Sequence, residues 1–293
     1  MEKILLIYNP NAGKKNIAVH LDKLIDIFTA QNKLITLFRI GEKNQLKLED
    51  IIKNGDFNGV VVCGGDGSVN SVAKIILDSG VDIPLGVIPN GTCNDFSRSL
   101  GMPNDIMRCA RLIAQGNITQ TDIGYINGGS SIFVNELAGG VLVTASFSTD
   151  QNMKKLFGPL AYYMTGIGEL ANIKPFSLTI QTPDRTYTEQ ALVFLVLNGT
   201  DISGFSNVIK EALMQDGEMD ILIFKNTNPL EITDTLFKFV TGGNFRDENV
   251  VRIRTHSCKI TCQSDIKTTV DGEKGPEFPL ELEMKQKALK IYY

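Results

Sequence analysis

Histidine is nearly missing from this sequence: His20 and His256 are the only two. The usual general base at neutral pH is therefore scarce, and proton removal by an enzyme of this composition falls to carboxylates. His20 lies in a predicted helix and His256 just before a predicted strand, both read as surface positions. Cysteine is sparse and odd in number. The five (Cys63, Cys93, Cys109, Cys258, Cys262) are scattered without the spacing of a disulfide framework. Cys258 and Cys262 are the nearest pair, but they sit in a strand-like stretch and lack two further ligands for zinc. No long hydrophobic run exists either. The longest, Ala191–Leu197, has seven residues, against the ~20 that a membrane helix needs. The start, Met1–Pro10, turns polar too soon for a signal peptide, so the expected compartment is the cytosol. Basic residues are not in excess: 29 Lys and Arg against 33 Asp and Glu give a net charge of −4. That balance argues against nucleic acid as the main partner. There is no repeat and no low-complexity segment.

What is present is an ordinary globular composition, 293 residues with 43% hydrophobic and 21% charged. At ~150 residues per domain the length suggests two domains, and the texture divides accordingly. Over residues 1–125, solidly apolar runs (Ile4–Tyr8, Leu34–Phe38, Val60–Cys63, Leu85–Ile88) alternate with amphipathic stretches. Ile17, Leu21, Leu24, Ile25 and Phe28 recur at helical spacing, as do Val69, Val72, Ala73, Ile76 and Leu77. A third helix is expected from Asp105 to Gln115, capped by Asn104 and ended by Gly116. Such alternation predicts an α/β domain with a parallel sheet. Over 126–293 the segments become short, alternating and separated by Gly, Pro and Asp, which predicts a mainly antiparallel β-sandwich or barrel. Leu280–Met284 and Ala288–Tyr293 read as two separate strands. Lys154–Asn172 and Pro229–Gly242 read as helices.

The strongest local signal is Val60–Asn70, where a buried strand runs into Gly64-Gly65-Asp66-Gly67 and a helix starts at once. Ligands of open α/β sheets bind at the carboxyl ends of the strands. Glycines let the backbone approach phosphate oxygens, and the helix amides behind them point at the anion. Gly-Gly alone would be read as a tight turn; the aspartate and the helix start point to a nucleotide site. Two more polar, glycine-containing loops follow strands: Asn9-Pro10-Asn11-Ala12-Gly13-Lys14, which lacks the P-loop spacing, and Pro89-Asn90-Gly91-Thr92-Cys93-Asn94-Asp95-Phe96.

Together these three segments resemble the diacylglycerol kinase catalytic domain, and more narrowly the soluble bacterial diacylglycerol kinases and YegS-like lipid kinases. The resemblance continues in order through Asp122-Ile123-Gly124, Phe133-Val134-Asn135, Gly158–Tyr163, Asp216-Gly217-Glu218-Met219 and Val270-Asp271-Gly272-Glu273. It implies an NAD kinase/diacylglycerol kinase-like first domain, and a β-sandwich second domain that completes the lipid and catalytic cleft. The implied activity is transfer of the γ-phosphate of Mg-ATP to a lipid hydroxyl, giving phosphatidic acid if the acceptor is diacylglycerol. ATP contacts carry over to Asn9, Pro10, Asn11, Ala12 and Gly13, to Gly65, Asp66, Gly67, Ser68, Val69, Asn70 and Ser71, and to Gly41 and Thr92. Asp66, Asp95 and Asp122 are implied to form a charged network reaching the catalytic magnesium. The catalytic carboxylate is implied to come from Val270–Glu273, with Asp271 and Glu273 both open as the base. A structural magnesium is implied at the Asp216 carboxylate and the carbonyls of Leu213 and Glu218. Gln215, however, stands where relatives often have a second aspartate. Relatives also often continue beyond the equivalent of Tyr293 into a segment that packs back on the first domain.

The implied partners are ATP, a lipid such as diacylglycerol and, peripherally, the inner membrane surface, with a homodimer left open. Met153–Met164, which mixes lysines and aromatics, suits either a membrane surface or a core helix with a solvated lysine end. Two other readings stay open: an NAD kinase-like small-molecule kinase, which would share the Gly-Gly-Asp-Gly loop, and a non-catalytic lipid- or nucleotide-binding protein of the same fold.

Overall fold

The computed structural model describes residues 1–10, 17–41, 47–140, 174–202, 208–209, 212–228, 231, 234–235, 238–239 and 248–293. The chain forms two compact units: Met1–Asp122 with Lys287–Tyr293, and Ile123–Gln286.

The first unit is an α/β layer structure. Strands β1 (Glu2–Tyr8), β2 (Lys33–Arg39), β3 (Gly59–Gly64) and β4 (Leu85–Pro89) pair in parallel in the order β2-β1-β3-β4. β1, β3 and β4 are nearly continuous apolar runs because both faces are covered. Helices α1 (Leu21–Thr29), α2 (Leu48–Asn54), α3 (Asp66–Ser79), α4 (Asp95–Ser99) and α5 (Ile106–Gln115) connect and cover them. One core joins Ile4, Leu6, Leu24, Phe28, Val61, Ile88, Cys109 and Ile113. The cap of α5 is Asp105 rather than Asn104: its carboxylate accepts the Arg108 N–H at 2.8 Å. Gly116 ends that helix in the left-handed region, as its position predicts. Neither α2 nor α4 stands out in the sequence, being only seven and five residues long.

The second unit is antiparallel. Strand β5 (Ile118–Ile126) enters it and pairs with β6 (Ser131–Phe133). β7 (Glu136–Gly140), β8 (Phe176–Gln181), β9 (Thr186–Leu197), β10 (Met219–Lys225), β11 (Val250–Thr255), β12 (Ser257–Cys262), β13 (Thr268–Val270), β14 (Glu273–Lys274) and β15 (Leu280–Tyr292) follow. β9 is the spine: its first half pairs with β8, and its second half lies between β7 and β10. That half is buried on both faces. Phe194 and Val196 join a core with Phe133, Leu137, Ile221 and Leu280, while Leu195 and Leu197 join another with Leu222 and Phe224. This half of β9 is therefore covered on both sides, by one core on each face, and reads as a continuous apolar run for that reason.

The two strands expected at the C-terminus are one. β15 runs from Leu280 to Tyr292, with Lys287 in the left-handed region (φ 52°). From that kink the chain belongs to the first unit. Ile291 pairs in parallel with Leu85, Tyr293 N–H reaches the Asn117 carbonyl (2.9 Å), and Lys290 pairs with Asp82 (2.6 Å). The Lys33 ammonium, buried and paired with Glu2, sits 5.7 Å from the centre of the Tyr292 ring.

Candidate active site

Strand order places the first site. β1 and β3 are neighbours whose outgoing connections diverge, since β1 leads to β2 on one side and β3 to β4 on the other. That is a topological switch point, where open α/β sheets leave a crevice at the strand ends. Asn9 and Pro10 leave β1 there, both half-buried; Asn11, Ala12 and Gly13 lie outside the described residues. Gly41 is exposed beyond the end of β2.

The loops after β3 and β4 cross at two glycines. A Cβ at Gly91 would lie 2.4 Å from the Gly65 Cα, and one at Gly65 would lie 3.1 Å from the Gly91 Cα. No side chain fits either position without moving backbone. The crossing is fixed from both sides. Asn90 N–H donates to the Gly64 carbonyl at 2.9 Å. Asn94 accepts the Gly91 N–H at 2.7 Å and donates back to the Gly91 carbonyl at 3.1 Å. Asn94 is left-handed (φ 56°), a conformation asparagine tolerates better than most residues. Thr92 is exposed at the loop tip.

Behind the crossing, α3 presents its first turn. Val69 donates its N–H to the Gly65 carbonyl (3.1 Å) and buries its side chain, so it contributes packing rather than a free donor. Ser71 turns its hydroxyl back onto the Gly67 carbonyl (2.9 Å). Asn70 lies on the same helix, half-buried. The first amides of a helix have no acceptor within it, so the start of α3 at Asp66–Ser68 favours an anion.

Asp66 opens α3 and Asp95 opens α4. They are linked through backbone: the Asp66 Oδ1 accepts the Phe96 N–H at 3.1 Å. Burial raises the Asp66 carboxyl above the usual carboxylate range, opposed by the amides of Phe96, Asp66 itself and Asn94 and by the Arg98 charge. Arg98 pairs with the buried Asp95 and donates to the Cys93 carbonyl at 2.6 Å. Asp122, fully buried, accepts the Lys287 N–H at 2.6 Å and so fixes the kink where β15 joins this unit.

The acidic segment of the second unit is a two-residue hairpin. Val270 pairs with Glu273, and Asp271 and Gly272 form the turn with φ of 47° and 83°, the pattern of an Asp-Gly type I′ turn. The turn also explains which carboxylate does what. Asp271 is buried, and its oxygens accept three backbone N–H groups: Val134 (2.8 Å), Asn135 (2.9 Å) and Glu136 (2.9 Å). Its own N–H returns to the Glu136 carbonyl at 3.0 Å. Glu273 is exposed on β14. The cradle is itself braced: Asn198 donates to the Val134 carbonyl (2.8 Å), and Asn135 donates to the Asp201 carbonyl (2.7 Å).

The segment expected to hold a structural magnesium is organised around an arginine. Asp216 Oδ1 accepts the Glu218 N–H at 3.0 Å, and its other oxygen pairs with Arg254. The Arg254 Nε lies 2.8 Å from Glu218. Leu213 has an exposed side chain. Among the described residues no group of three or more His, Cys, Asp or Glu side chains is placed to hold a metal ion. A guanidinium thus stands against both acids, so their charge is met within this chain.

Arg98, Asn94, Asn198 and Arg254 are contributors that sequence reading passes over. Only Asn94 carries a local signal, in Asn90-Gly91-Thr92-Cys93-Asn94, whose Asn and Gly residues suit left-handed turns. Lys154–Asn172 and the lysine–aromatic stretch Met153–Met164 lie outside the described residues, as does most of Pro229–Gly242. No helix among the described residues is long and apolar enough to cross a membrane.

Comparison with known proteins places both units in known families. The family model "Diacylglycerol kinase catalytic domain" matches residues 3–126, and the "YegS C-terminal NAD kinase beta sandwich-like domain" matches 137–293. A diacylglycerol kinase of Staphylococcus saprophyticus is 31% identical over 277 residues, covering 94% of this chain and 90% of its own. One of Staphylococcus epidermidis is 30% identical, covering 98% and 90%. A Bacillus anthracis crystal structure superposes with a TM-score of 0.85 at 27% identity, covering 100% of this chain and 97% of its own. The likeness thus spans both units, the crossed-glycine loops and the acidic hairpin alike, and the chain belongs to the diacylglycerol kinase family.

Proposed function

We propose that the chain transfers the γ-phosphate of Mg-ATP to a lipid hydroxyl, with diacylglycerol as the acceptor and phosphatidic acid as the product. The observation that carries this reading is the crossing of Gly65 and Gly91 at the switch point. It brings two side-chain-free stretches of backbone together at the strand ends, next to the first turn of α3. Phosphoryl transfer asks a protein mainly for positioning and charge neutralisation, and this is a site made of backbone amides and one enclosed carboxylate. Asp66 is the residue for the metal that arrives with the nucleotide. Burial disfavours its charge, and an adjacent cation favours it.

Glu273 is the base and Asp271 its positioning residue. A general base needs an available lone pair within reach of the acceptor hydroxyl. The oxygens of Asp271 are engaged by three amides, while Glu273 projects from the same hairpin into solvent. Glu273 takes the hydroxyl proton as the new oxygen–phosphorus bond forms and the bond to ADP breaks.

The test is transfer of label from γ-labelled ATP to a panel of acceptors that includes diacylglycerol in mixed micelles and NAD. Labelled phosphatidic acid supports the proposal. Label in NAD supports the small-molecule kinase reading, and no labelled product with any acceptor supports a binding protein.

A further inference from the structure

The turn Leu213–Glu218 is closed by side chains of this chain. Asp216 folds back on the Glu218 N–H, which makes the tight turn, and Gln286 holds the Gln215 carbonyl through Nε2 at 3.0 Å. Two carboxylates, Asp216 and Glu218, flank Gly217 and meet the same cation. Arg254, on β11, pairs with them through two different nitrogens: a terminal one on Asp216 and Nε on Glu218. A guanidinium offers donors in a fixed fork that meets carboxylates in this way. The strand pairing delivers it there, because Asp220 on β10 stands directly across from Arg254. Two residues back along β11, Arg252 neutralises the buried Asp220 at 2.8 Å, so the same face of β11 supplies both cations.

We propose that Arg254 is the resident cation of this turn and takes the place of a divalent ion there. Both oxygens of Asp216 are committed, one to an amide and one to the guanidinium. A magnesium ion at the same carboxylate would have to displace Arg254 or stand beside its positive charge. Gln215 points the same way: with no carboxylate at that position, the turn carries two acidic side chains, which one arginine bridges. The turn is therefore self-sufficient, and its stability follows Arg254 rather than the metal concentration. The inference concerns folding of this turn and is independent of the acceptor proposed above.

The test is thermal unfolding without nucleotide, in chelator and in millimolar Mg²⁺, for the wild-type chain, Asp216→Asn and Arg254→Gln. The wild-type melting temperature is expected to respond to Mg²⁺ no differently from that of Asp216→Asn. Arg254→Gln is expected to melt lower by roughly 2–4 °C and to regain part of the loss in saturating Mg²⁺, since the two carboxylates are then open to a metal. A saturable Mg²⁺ stabilisation of the wild type that disappears in Asp216→Asn would overturn the proposal. So would an Arg254→Gln protein that melts like the wild type. The first two proteins decide the matter even if Arg254→Gln does not fold.

Discussion

The nucleotide side and the acidic hairpin solve opposite problems. Around Gly65 and Gly91 the chain removes side chains so that the two loops can come close, and under the proposed function recognition is left to amides at the start of α3. Around Asp271 the chain uses a side chain to gather backbone: one carboxylate draws in the amides of three successive residues more than 130 positions away. The first arrangement tolerates no added carbon, and the second tolerates no lost oxygen. The comparison teaches that two aspartates beside glycines, in Gly65-Asp66-Gly67 and Asp271-Gly272, can look alike in sequence and act differently. Under the proposed function Asp66 serves a cation that comes and goes, whereas Asp271 is tied into the framework by three amides.

The largest expected effect separates Glu273 from Asp271. Glu273→Gln should lower kcat by about 10²–10⁴, the worth of a general base, while its melting temperature stays at the wild-type value because the side chain is exposed. Asp271→Asn should instead unfold more easily, by roughly 1–3 kcal/mol. Its amide nitrogen would confront a backbone N–H where Asp271 offers an oxygen. Kinetics and melting curves on the two proteins decide between the roles. A stable but inactive Asp271→Asn beside an active Glu273→Gln would exchange them.

Asp66→Asn should lower kcat by about 10²–10³, the scale of losing one preorganised electrostatic contact, and yet melt higher at neutral pH. The sign follows from the raised carboxyl of Asp66. A folded value above the unfolded one, about 3.9, means the folded protein holds the proton longer. The stability this gives is present at low pH and is lost as pH rises through the folded value. Asparagine has no charge to bury, so it escapes the loss while its side-chain oxygen still meets the Phe96 N–H. Wild-type activity should likewise fall as the medium is acidified through that range. Melting temperature and kcat measured together against pH check both halves. A mutant that melts below the wild type at neutral pH would contradict them.

A smaller effect is expected at the glycine crossing. Gly91→Ala should cost roughly 1–3 kcal/mol of stability, as overpacking does, because its Cβ meets backbone rather than a flexible side-chain end. Gly65→Ala should cost less, since its Cβ comes no closer than 3.1 Å. Denaturant melts rank the two, and the reverse order would mean that the loops do not cross here as described.

How much of this is readable in advance depends on sequence distance. The strand-to-helix turn at Gly64–Val69 is contiguous, so its apolar run, glycines and helix start all appear in one window. The parallel strands are equally plain because they are buried on both faces. The Asp271 cradle is not legible: Val134, Asn135 and Glu136 carry no mark of a partner so far along the chain, and their contribution is backbone. Arg254 is hidden in the same way, since an arginine on an alternating strand looks like any solvated residue until β10 and β11 are paired. The single strand Leu280–Tyr292 reads as two because Lys285, Gln286 and Lys287 interrupt the apolar pattern where the chain leaves one unit for the other. Glu273 and Asp271 are separable only once the type I′ turn is known, because the turn buries one and exposes the other.

Under the proposed function, nucleotide recognition belongs to backbone at the crossed loops and proton removal to a side chain on the hairpin. Equilibrium titration of Mg-ATP against Gly91→Ala and Glu273→Gln tests it most directly. Gly91→Ala is expected to weaken ATP binding by about tenfold or more, equivalent to about 1.4 kcal/mol, and Glu273→Gln to bind ATP as the wild type does. An unchanged dissociation constant in Gly91→Ala, or a comparable weakening in Glu273→Gln, would contradict it.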